Sequence, residues 1–74
     1  MLNQIAKELM DYINTTHSYI ADGYTLEEAV EDVKGSRKEI AAFLADDVEA
    51  FTDGGLDAEA AEAGQLLDKI VALG

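Results

Sequence analysis

Seventy-four residues make a single domain, 1–74, of a size at which one core supplies only a few kcal/mol of stability, so a large, deep active site would compete with that core for side chains. Sixteen acidic against five basic residues leave a net charge of −11; such a field repels nucleic acid and anionic membrane, so direct binding to either is not expected. Cysteine is absent, which excludes disulfides and thiolate metal sites, while a hydrophobic content of 49% is too high for a disordered acidic tail.

The first segment, from Leu2, places Leu2, Ile5, Ala6, Leu9, Ile13, Thr16 or His17, and Ile20 at a helical period, which predicts a helix over 2–22 with Gly23 as its stop. Asn14, Thr15 and Thr16 weaken it, because short polar and β-branched side chains have low helix propensity. Tyr12 and Tyr19 share a face somewhat off the main stripe, and Tyr24 precedes Thr25 as a candidate staple onto Ala29. The opening MLNQIAKELMDY has neither a basic leader nor an unbroken apolar run, so it does not read as a signal peptide. A cytoplasmic protein is expected.

The stretch Thr25 to Phe51 carries most of the punctuation. Thr25 with Glu28, and Ser36 with Glu39, both fit the capping box, in which a hydroxyl takes one orphan amide and the carboxylate reaches back to the cap amide. Gly35 is positioned to end the first of these two helices in the left-handed region. The expected helices run over 26–34, with Leu26, Ala29, Val30 and Val33 on one side, and 37–52, with Ile40, Phe43, Leu44, Val48 and Phe51. Asp53-Gly54-Gly55 then breaks the chain, and Asp57 is placed to cap a last helix over 57–73. Its stripe is Ala60, Ala63, Leu67, Ile70 and Val71, widened by Leu66 and Leu73. A stripe that wide suits more than one neighbour. The fold class is therefore all-α, a compact bundle of four helices.

The charge is unevenly placed. Residues 21–62 hold thirteen acids and three bases, whereas the first twenty hold only Glu8, Asp11 and Lys7. Acids in a first helical turn, such as Glu27, Glu28, Glu39, Asp57 and Glu59, suit the helix dipole. Others do not: Glu27 with Glu31 and Glu28 with Asp32 are like-charge i,i+4 pairs, each destabilising by roughly 0.2–0.5 kcal/mol. Asp46, Asp47, Glu49 and Asp53 crowd the C-terminal half of the third helix, and Arg37 and Lys38 stand at its N-terminus, the reverse of what the dipole favours. Local rules broken in this way point to function. Eleven net charges over a bundle about 30 Å long, the span of a twenty-residue helix, is about one per 2.7 Å, against one per ~1.7 Å in duplex DNA.

In size, charge and expected helicity the chain is similar to the small acidic proteins of phages and mobile elements that mimic DNA and block restriction enzymes, CRISPR effectors, repair enzymes or repressors. The likeness lies in those bulk properties and carries over no individual residue. It implies a non-enzymatic inhibitor of anti-restriction or anti-CRISPR type, working in the host cytoplasm and occupying a basic nucleic-acid site on a partner protein. Glu27, Glu31, Asp32, Asp46, Asp47, Glu49 and Asp53 are the residues expected to supply the phosphate-like charges. The alternative is a helical homo-oligomeric interaction or scaffold domain that binds through an apolar face of the first or last helix, sensitive to Leu66→Asp or Leu73→Asp.

Other chemistry finds less material. Asp53 to Glu59 has the outline of a calcium loop but places Gly55 at the third position, where an oxygen ligand is required. The second and third helices have a helix-turn-helix outline, yet the helix that would read DNA is acidic. His17 is the single histidine and has no nucleophile in an activating context. No enzymatic activity, metal or cofactor is expected.

Overall fold

The computed structural model describes residues 1–17 and 23–73. Among them are four helices and no strand: α1 (Leu2–Thr16), α2 (Leu26–Gly35), α3 (Arg37–Asp53) and α4 (Asp57–Ala72). The all-α bundle expected from periodicity is the observed fold. α3 and α4 form the most extensive pair, α1 packs on α2 and on α4, and α2 touches α3 across a tight junction. The molecule measures 32 × 27 × 18 Å.

Each helix contributes a few side chains to one core. Ile5, Ala6, Leu9, Tyr12 and Ile13 come from α1, Ala29 and Val33 from α2, Leu44 from α3, and Ala63, Leu66 and Ile70 from α4. Leu9, Val33, Leu44 and Ile70 are the largest side chains wholly out of solvent; burying each stabilises by about 1.5–3 kcal/mol relative to exposure. Ile40, Phe43, Val48 and Phe51 of the expected α3 stripe pack against this core, partly buried. On α4 the seam runs through Ala63, Leu66 and Ile70, while Val71 stands 61% exposed. The expected stripe was thus rotated: Leu66 is core, Val71 is surface, and Leu66→Asp would attack the fold rather than an interface. Leu26, assigned to the α2 stripe, is likewise 43% exposed.

The punctuation was partly right. At Thr25 the capping box is complete, with Glu28 N–H donating to Thr25 Oγ1 at 3.2 Å and Thr25 N–H to Glu28 Oε1 at 3.1 Å. Ser36 makes no such bond. This one residue closes α2 by donating its N–H to Asp32 O and opens α3 by accepting from Ile40 N–H. Serving both helices holds it at φ −123°, ψ 31°, away from the extended backbone that aims a cap hydroxyl at its amide. Gly35 stays within α2 and is not left-handed. Nor does Asp57 cap α4: the N-cap is Leu56, and Asp57 is the first helical residue.

Two glycines do enter the left-handed region, Gly23 (φ 75°) and Gly55 (φ 76°). Gly55 completes a Schellman stop for α3: Leu56 N–H donates to Phe51 O at 2.8 Å and Gly55 N–H to Thr52 O at 3.1 Å. The segment that resembles a calcium loop is this helix stop. α1 ends at Thr16, with His17 as its C-cap, and Asn14 Nδ2 donates to Tyr24 O at 2.8 Å, tying the end of α1 to the segment before α2. Residues 18–22 of the expected first helix, with Tyr19 and Ile20, lie outside the described residues.

Candidate interaction surface

The seven carboxylates expected to meet a partner divide into two groups. Asp47 faces inward, its side chain 13% exposed, and a single oxygen, Oδ2, accepts from Tyr12 hydroxyl at 2.5 Å and lies 2.8 Å from His17 Nε2. A carboxylate oxygen only accepts, which assigns the hydrogen to Nε2. Phe43 packs against the His17 ring with centroids 4.9 Å apart. The cluster joins the end of α1 to the middle of α3, and burial first, then the Asp47 carboxylate, raises the Tyr12 hydroxyl well above the usual phenol range. Asp32, half-buried, does the same locally: it accepts from Tyr24 hydroxyl at 2.6 Å, and burial followed by that bond raises Tyr24 too. Tyr24 is thus fastened to Asp32 by its hydroxyl.

Glu27 and Glu31 on α2, and Asp46, Glu49 and Asp53 on α3, are exposed. Among the described residues none of the five forms an ion pair. The contrast with the other half of the molecule is chemical. Lys69 Nζ reaches Glu8 Oε1 at 2.6 Å across α4 and α1, and Lys7 pairs with Asp11 at 3.2 Å. Two of the five bases are therefore spent on acids of α1, leaving Lys34, Arg37 and Lys38 gathered at the α2–α3 junction, and α3 itself has no base after Lys38.

Geometry sets the spacing of the unpaired acids. Asp46, Glu49 and Asp53 recur at i, i+3 and i+7, so they lie along one side of α3, with neighbouring positions ~5–6 Å apart. Glu27 and Glu31 are one turn apart on α2 in the same way. Eleven net charges over the 32 Å long axis is one per about 2.9 Å, close to the spacing expected from sequence. Acids alone do not assemble a metal site: among the described residues no group of three or more His, Asp or Glu side chains is placed to hold an ion. A hollow of about 270 Å³ between α1 and α4 is lined by Glu8, Asp11, Tyr12 and Glu62, but Glu8 and Asp11 already have lysine partners.

Sequence reasoning had no means to separate Asp47 from Asp46. Tyr12, seen only as off-stripe, was the available clue, because a buried phenol requires an acceptor. Among the described residues no helix is long and apolar enough to cross a membrane. Comparison with protein-family models, curated proteins and solved structures finds no match to this chain.

Proposed function

We propose that this protein is a non-enzymatic, acidic protein-binding module that occupies the basic nucleic-acid site of a DNA- or RNA-binding enzyme or effector. The observation that carries the reading is the set of five exposed, unpaired carboxylates, Glu27, Glu31, Asp46, Glu49 and Asp53. Asp53 sits in the last turn of α3, where the helix dipole disfavours it, and Glu49 stands just before that turn. Like-charge neighbours cost each helix a few tenths of a kcal/mol, and a cationic partner groove converts that cost into attraction. Asp32 and Asp47 support the surface from behind as hydrogen-bond acceptors. The test uses immobilised protein to capture nucleic-acid-binding proteins from cell lysate, eluted with salt. Release at moderate salt, competition by duplex DNA or RNA, and loss on neutralising the five acids to Gln and Asn are expected. Capture that survives neutralisation would falsify the proposal.

A second reading, a homo-oligomeric scaffold, is favoured by Val71, which stands 61% exposed on α4 one turn beyond the partly buried Leu67. It predicts salt-resistant self-association that Val71→Asp abolishes.

A further inference from the structure

A shallow cavity of about 380 Å³ opens between the start of α1 and the outer side of α2, lined by Asn3, Leu26, Glu27, Val30 and Glu31. Its apolar floor is Leu26, one of the few large hydrophobic side chains left 43% exposed, and Val30 one turn on. Two of the unpaired carboxylates, Glu27 and Glu31, stand on its rim, also one turn apart. Leu26 is the first residue of α2 and stands outside the buried core.

We propose that this groove seats a basic amphipathic helix of the partner, with an apolar side chain entering between Leu26 and Val30 and lysines or arginines one turn apart meeting Glu27 and Glu31; this rests on the acidic-surface reading above and specifies what its partner offers. Charge selects the occupant. A second copy would bring a net charge of −11 to a carboxylate rim, and nucleic acid would be repelled likewise. A cationic helix satisfies both features, with apolar anchors supplying affinity and the ion pairs supplying register. An apolar anchor distinguishes this surface from a purely electrostatic decoy, since its contribution persists when salt screens the carboxylates.

The experiment titrates the isotope-labelled full chain, followed by NMR, with two synthetic helical peptides of equal length and charge, one alternating leucine with lysine at helical spacing and one with each leucine replaced by glutamine. Expected are shifts centred on Asn3, Leu26 and Val30 with the leucine peptide. Leu26→Ser, a change at an exposed site, should weaken that peptide about tenfold or more, as loss of a buried leucine contact requires, and leave the glutamine peptide unchanged. Glu27→Gln with Glu31→Gln should weaken both. Equal binding of the two peptides, indifferent to Leu26→Ser but sensitive to salt, overturns the groove and leaves the acidic surface standing. Binding of neither peptide, or binding indifferent to salt, overturns the groove, while the capture from lysate decides the acidic surface. Peptide-free self-association that shifts Leu26 and Val30 overturns the groove in favour of a homodimer.

Discussion

Asp46 and Asp47 are adjacent, equally charged and on the same helix, yet their removal should have very different consequences. Asp47→Ala takes away the one oxygen that accepts from Tyr12 at 2.5 Å and pairs with His17 at 2.8 Å. Hydrogen bonds to a charged group contribute about 1.5–3 kcal/mol each; sharing one oxygen makes them less than additive, so ~2–4 kcal/mol is the expected loss. A chain of this length has roughly 4–11 kcal/mol in total, and melting should fall by roughly 10–25 °C. Asp46→Ala, at an exposed site, should stay within about 0.5 kcal/mol. Both changes relieve the molecule of one negative charge, so the difference between them isolates the buried contacts. Urea unfolding followed by far-ultraviolet circular dichroism measures it, and a double-mutant cycle with Tyr12→Phe should give a coupling of about 1–2 kcal/mol. Equal midpoints for the two alanine variants, or zero coupling to Tyr12, would refute the assignment of Asp47 to the fold.

Two glycines should respond with opposite sign. Gly55→Ala places a Cβ at φ 76° with nothing nearby to clash, so its cost is the left-handed backbone alone, about 1–2 kcal/mol. Gly64→Ala adds a methyl 3.9 Å from Val48 Cγ2, an ordinary contact inside α4, and should stabilise by about 0.4–1 kcal/mol; thermal melts of both decide. The raised hydroxyls of Tyr12 and Tyr24 mean that the folded chain holds protons the unfolded chain releases near the ordinary phenol value of about 10. Their stabilisation is therefore complete below about pH 10 and is lost as pH climbs beyond it. A pH series of melts should show that decline, made shallower in Tyr12→Phe and Tyr24→Phe; an unchanged slope in both variants contradicts the hydrogen-bond account. Leu66→Asp, which charges a core position only 4% exposed, should cost upwards of ~4 kcal/mol, while Val71→Asp at 61% exposure should fold normally; comparable unfolding midpoints would mean that the α4 seam is wrongly placed.

What the chain determined by itself is whatever depends on neighbours a few residues away. Four apolar periods, the Thr25–Glu28 box, the break at Gly54-Gly55 and the adverse placement of acids on α3 are all local, and all are legible in order along the sequence. Only the tertiary structure decided matters that depend on a second element. Ser36 fits the box pattern as well as Thr25 does, but a one-residue junction between two packed helices sets its ψ to 31° and no side-chain cap bond forms. Whether Leu66 or Val71 belongs to the core is a matter of some tens of degrees of rotation of α4 about its axis, set by its packing on α3 and α1. Asp47 is separated from Asp46 by about 100° around α3. That rotation, meeting Tyr12 and His17 arriving from α1, turns one carboxylate into part of the fold and leaves its neighbour facing solvent.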